Sequence, residues 1–212
     1  MKFGKLLGFG VFALSMSSAA MAAPFINGGF EGGNTNGWTT GGGYRGSVSN
    51  TSLTPADVLP GGSLYSGPST RSSIISAGTL DGNLGAALGS TVYSGSYSYR
   101  TEDLMWGGNA SAISQSVKNY TDSSIFFAWK AVLENGGHTA DESALFKVVL
   151  RDDTTGSTLI DRTFNAGATG TGVDNRFNSL GGLFYTPNWQ IEQLTIDSLL
   201  SGHDFTLSLL AA

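Results

Sequence analysis

The side chains able to do acid–base or metal chemistry are few and dispersed. His138 and His203 are the only two histidines, each beside a glycine and near carboxylates: Asp141 and Glu142 for the first, Asp204 for the second. Such sets could ligate a metal or act as general acid and base. Neither has metal-ligand spacing on one element, and both fall at strand boundaries, where a turn histidine is the ordinary explanation. The 16 acidic residues could hide a glycosidase-type pair, but that pair must face one cleft, and spacing does not pick it out. There is no Gly-x-Ser-x-Gly elbow. Gly41-Gly42-Gly43 runs into Tyr44-Arg45-Gly46 without the Lys-Ser/Thr of a phosphate loop. The residues point away from an enzyme.

Aromatic side chains offer a different chemistry. A sugar ring packs its C–H face on Trp or Tyr while Asn, Gln, Asp and Arg take its hydroxyls. Trp38, Tyr44, Tyr97, Tyr99, Arg100 and Trp106, with Tyr65 beside them, lie in or near loops and form the candidate ligand-binding set. Core packing competes at each position, because a β-sandwich buries large aromatics in any case. Trp129 is assigned to the core.

These residues belong to a chain built for export. Lys2 and Lys5 precede an apolar stretch from Leu6 to Met16, and Ser17 to Ala22 shorten to small residues ending in Ala20-Met21-Ala22. This predicts a signal peptide over residues 1–22 and a mature chain, residues 23–212, folded as one domain. A spanning helix needs about 20 mostly apolar residues, so no membrane span is expected in the mature chain. Losing Lys2 and Lys5 takes the formal net charge from −5 to −7. That sign and the scattered Arg and Lys argue against a nucleic-acid partner. Acidic groups outside a cell favour solubility or a divalent cation such as calcium.

The chain has no cysteine, so the fold must rest on its core without disulfides. Its 31 glycines are about twice the usual share and imply many tight turns. Residues 28–46 read as an aromatic, glycine-rich loop, and residues 50–70, with Pro55, Pro60 and Pro68, as an irregular segment with apolar content to bury. Strand signals follow over 72–76, 90–101, 111–120, 124–134, 144–152, 158–165, 189–196 and 204–210. Phe146, Val148 and Leu150 alternate with Lys147, Val149 and Arg151, giving one core face and one mostly wet face. In 124–133 both faces carry apolar residues, which predicts a central strand covered on both sides. Asp152 to Gly156 predicts a hairpin turn. Leu80 to Leu88 is the one place that allows a helical turn. About eight strands with glycine-rich turns imply an all-β, antiparallel β-sandwich of jelly-roll type.

The opening Asn27-Gly28-Gly29-Phe30-Glu31 with Asn36-Gly37-Trp38 resembles the start of galactose-binding-like jelly rolls. These include carbohydrate-binding modules and domains of bacterial surface proteins with a PEP-CTERM sorting tail. Ser111 to Val117, with Gln115 at its centre, and Phe126 to Leu133 are similar to core strands of that family. The resemblance implies a secreted or cell-surface bacterial protein that binds polysaccharide or a surface glycan. It also implies that Glu31 helps hold a structural calcium. The family closes with an Asp-rich strand, whereas this chain ends at Leu209-Leu210-Ala211-Ala212. The expectation is therefore a sandwich lacking its last strand, with an open edge at 204–212. The function expected is a non-catalytic, carbohydrate-binding module. The alternatives are a surface scaffold pairing through that open edge and an extracellular glycan-active enzyme.

Overall fold

A computed structural model describes residues 24–102, 105, 107–167, 170 and 172–212. The leader over 1–22 and Trp106 lie outside the described residues.

Twelve strands are present among the described residues: β1 Thr39–Tyr44, β2 Ser73–Ser76, β3 Tyr97–Arg100, β4 Asn109–Val117, β5 Ser124–Trp129, β6 Val132–Glu134, β7 Leu145–Asp152, β8 Ser157–Asn165, β9 Asn178–Leu180, β10 Leu183–Tyr185, β11 Gln190–Thr195 and β12 Phe205–Ala211. One helical turn, α1, spans Pro55–Val58, and a 3₁₀ turn spans Ala86–Leu88 inside the predicted stretch. Five strands form an antiparallel sheet in the order β1-β4-β12-β7-β8. Facing it are β11-β5 and β6-β10-β9, while β2 pairs with β3. The protein is an antiparallel β-sandwich. No helix among the described residues is long and apolar enough to cross a membrane.

Alternation builds the core. Phe146, Val148 and Leu150 of β7 are buried on one face, as expected, and Phe205 and Leu207 of β12 join them. Across the sandwich Ile125, Trp129 and Leu133 meet this layer. The Trp129 ring lies 4.9 Å from Phe146 and 5.5 Å from Phe164, centroid to centroid. The Asp152–Gly156 hairpin forms as predicted. Asp152 Oδ1 accepts the Thr154 and Thr155 amides at 2.9 and 3.2 Å.

Four expectations are corrected. The first concerns β12, which is no open edge: β4 and β7 flank it, and Leu210 faces a second apolar cluster while Phe205 and Leu207 face the first. Apolar residues in both phases mark it as an interior strand.

Second, residues 124–134 are not one strand covered on both sides. The run breaks at Lys130 and Ala131, where Thr186 Oγ1 accepts the Ala131 amide at 3.0 Å. Among the described residues the β5 strand pairs only with β11, and Phe126 on its outer face is 51% exposed.

Third, the loop read over residues 28–46 contains β1. Glycine weakens a strand interior unless another backbone comes close, and here it does. A Cβ at Gly41 would stand 2.1 Å from the Val58 carbonyl oxygen, and one at Gly43 1.7 Å from that of Leu64. The segment over 50–70 lies directly on the sheet, burying Leu53 and Val58 against Ala110, Ala112 and Leu210. Its α1 turn starts with Pro55, and the Thr54 amide donates to Asp57 Oδ2 at 2.8 Å, a capping pair.

Fourth, the strand expected over 90–101 occupies only its end, Tyr97–Arg100.

Candidate functional site

The expected ligand-binding residues do not converge. Trp38 and Tyr44 flank opposite ends of β1, about 20 Å apart at the usual rise of a strand. Trp38 is half-buried: its ring lies 5.5 Å from Phe30, and its indole N–H donates to the Asn27 carbonyl at 3.1 Å. Phe30 in turn stacks on Tyr99 at 5.5 Å. Burial pushes the Tyr99 phenol pKa up, the Ser72 hydrogen bond opposing it and the Glu102 charge adding to it. These rings pack a loop onto β3. Tyr97 belongs to the same strand and is also half-buried, whereas Arg100 and Tyr44 are exposed, Tyr44 at 67%.

Gln115 shows what its motif does. Its side-chain amide accepts from the Ile26 N–H at 2.7 Å and donates to the Ile26 carbonyl at 2.9 Å, acting as an extra strand rung that anchors the N-terminal segment.

Glu31 does not fit a calcium ligand. Both its carboxylate oxygens accept the Ser96 amide at 3.0 Å, and Oε1 also takes the Tyr97 amide at 3.2 Å. Cation sites need converging oxygens, and here N–H groups converge. Gly95, at φ +75°, makes room: a Cβ there would lie 2.4 Å from Oε1. Among the described residues no group of three His, Cys, Asp or Glu could hold a metal. His203 Nδ1 contacts Asp152 Oδ2 at 2.8 Å beside the β7–β8 turn, while His138 is exposed.

A site that the sequence analysis did not single out stands on the outer face of β5 and β11. In register, Phe126 faces Gln193 and Ala128 faces Ile191. The inner phase (Ile125, Trp129, Glu192) is buried, so Phe126, Ile191 and Gln193 point outward. Tyr93 joins from the loop before β3 and Trp189 from just before β11. The Tyr93 ring lies 6.0 Å from Phe126 at 46° and 5.9 Å from Trp189 at 63°. Tyr93 is 45% exposed. Three rings thus form an open cradle, a cluster that core packing does not require.

Lys130 holds one wall. Its ammonium donates to the Leu88 and Ser90 carbonyls at 2.5 and 3.0 Å and lies 6.0 Å from the Trp189 ring. Burial pushes its pKa down. The usable sequence signal was Phe126 itself, out of phase with Ile125, Phe127 and Trp129 on a strand that turns out to have one neighbour.

No protein-family model matches the chain, and no curated protein matches it in sequence. Two solved structures are similar at low scores. One is the carbohydrate-binding module TmCBM61 in complex with β-1,4-galactotriose: TM-score 0.39, 10% identity, 88% of this chain and 84% of that one covered. The other is the enzymatically active domain of tailspike protein 4 from bacteriophage CBA120: TM-score 0.35, 11% identity, 88% of this chain and 18% of that one covered. The fold described above rests on the strands themselves.

Proposed function

We propose that this protein is an exported bacterial glycan-binding module, not an enzyme, and that the cradle of Tyr93, Phe126 and Trp189 is its ligand surface. The observation that carries the proposal is a sheet face on which the Tyr93 ring touches both Phe126 and Trp189, with Tyr93 and Phe126 exposed and Trp189 half-buried. Gln193, opposite Phe126 in register, and Lys130, 6.0 Å from the Trp189 ring, border them as polar groups. Apolar ring faces bordered by a few polar groups are what a sugar requires. The leader read over residues 1–22 supports export. His138 is exposed and His203 is tied to Asp152 beside the β7–β8 turn, a turn-holding use that supports binding without catalysis. The scaffold alternative loses its open edge, since β12 has neighbours on both sides.

A glycan array probed with the full chain, beside a Phe126→Ala/Trp189→Ala double variant, tests this. Discrete signals from the parent chain that vanish in the variant are expected. Truncating a central aromatic anchor costs about 2 kcal/mol, or roughly 30-fold in affinity. A blank array from a chain that melts cooperatively would sink the proposal.

A further inference from the structure

Beside the cradle lies a cavity of about 280 Å³ walled by Thr79, Leu80, Ala86, Gly89, Ser90 and Thr91. The two share Ser90, whose carbonyl accepts both the Trp189 indole N–H and the Lys130 ammonium. Gly89 closes the junction: a Cβ there would stand 3.3 Å from the Pro187 carbonyl oxygen and 3.5 Å from Lys130 Nζ. We infer that cradle and cavity form one site that takes the terminal sugar of a soluble glycan, and not the flat face of an insoluble polysaccharide. This rests on the glycan-binding reading above.

The ring geometry sets the limit. The Phe126 and Trp189 rings stand at 46° and 63° to Tyr93, so the three share no plane. A rigid, flat array of sugars lying face-on against Tyr93 could not also lie face-on against Phe126 or Trp189. An inclined pair instead grips a single ring from two sides.

The cavity sets the size. Small-molecule pockets run upward from about 300 Å³, so this one sits at the lower limit and suits roughly one sugar ring. The apolar Leu80 and Ala86 and the hydroxyl-bearing Thr79, Ser90 and Thr91 match the two kinds of surface that a sugar presents.

The wall is tied in place. Thr91 Oγ1 donates to the Thr79 carbonyl at 2.7 Å, Ser98 Oγ to the Thr91 carbonyl at 2.7 Å, and Lys130 to Leu88 and Ser90. A preformed wall lowers the ordering cost of binding.

Titration calorimetry on the full chain separates the cases. The probes are methyl glycosides of glucose, galactose, mannose and xylose and their linear oligomers up to six units, with pull-down on microcrystalline cellulose and chitin. Affinity should level off within one or two units, and methylating the hydroxyls of the terminal sugar should abolish it. Ala86→Phe, which fills the cavity from an exposed position, should weaken binding at least tenfold with an unchanged melting temperature. Affinity that climbs with every added unit, Trp189-dependent retention on cellulose or chitin, or an undiminished Ala86→Phe variant would each overturn the inference and leave the glycan reading standing. A folded chain that binds none of the probes removes both.

Discussion

The Trp189 indole N–H donates to the Ser90 carbonyl at 3.0 Å across 99 positions of sequence, and the same carbonyl accepts the Lys130 ammonium. One oxygen therefore joins the Trp189 ring, the cavity wall and the residue just after β5. The cradle is a tertiary construction, assembled from a loop and two strands far apart in the chain.

Lys130→Met tests that junction. The variant keeps the aliphatic stem but loses two charge-assisted hydrogen bonds. Partly exposed as they are, these contribute about 2 kcal/mol together, which corresponds to a melting temperature lower by about 4–8 °C. Freed from its wall, Trp189 should show red-shifted fluorescence, and glycan affinity should fall about tenfold. Unchanged fluorescence and affinity would show that Lys130 positions nothing.

Glu31→Gln tests the carboxylate that clamps Ser96 and Tyr97. Glutamine retains one acceptor oxygen and places an N–H₂ against the remaining amides, so a loss of about 1–2 kcal/mol is expected. For a metal-free clamp, parent and variant should each melt at the same temperature in chelator and in millimolar calcium. A parent chain stabilised by calcium, with a variant that is not, would return Glu31 to the role of ligand.

The sandwich was legible where alternation is regular. Phe146, Val148 and Leu150 define β7, and the Asp152–Gly156 turn defines its hairpin, because both signals are local. The failures are non-local. Nothing in Gly41-Gly42-Gly43 announces a strand until residues 58–66 are seen lying on it. Phe126 read as buried because apolar residues in both phases usually mean two covered faces; only the pairing of β5 with β11 alone exposes it. Trp189 and Tyr93 gave no signal at all, since their neighbourhood arises from the register of β11 and the path of the loop after Leu88. Trp38 and Tyr99 were legible as loop aromatics, but Phe30, which occupies both rings, was not seen as their partner.

Acid should unfold the protein through a small set of aspartates. Burial alone would raise the pKa of Asp152, but hydrogen bonds from His203, Thr155 and Thr154 outweigh it and hold the carboxyl below its ordinary value. Asp174 is likewise held low, chiefly by the Arg176 hydrogen bond. A carboxylate depressed in the folded state adds stability above its unfolded value, near 4, and loses it as pH falls through the folded one. Urea midpoints should therefore be flat near neutrality and drop below about pH 4. Asp152→Asn should be less stable at pH 7 and show a shallower acid limb. Parallel limbs in the two proteins would remove Asp152 from the set.

Gly43→Ala isolates the contact that made β1 unreadable. The position is not in the left-handed region, so the obstacle to an added methyl is the Leu64 carbonyl, its oxygen at 1.7 Å and its carbon at 2.9 Å, and that is backbone. Relief requires lifting the 58–66 segment off the sheet and opening the cluster of Leu53, Val58 and Leu210. Overpacking of this kind costs about 3 kcal/mol, or a melting temperature lower by roughly 6–12 °C. Gly78→Ala is the contrast: its φ of +85° disfavours a side chain, but nothing lies within 4 Å, so only the conformational cost of about 1 kcal/mol applies. If Gly43→Ala is the milder of the two, the 50–70 segment does not lie on β1 in solution. Glycan binding should survive Gly43→Ala, because that glycine belongs neither to the outer face of β5 and β11 nor to the cavity wall.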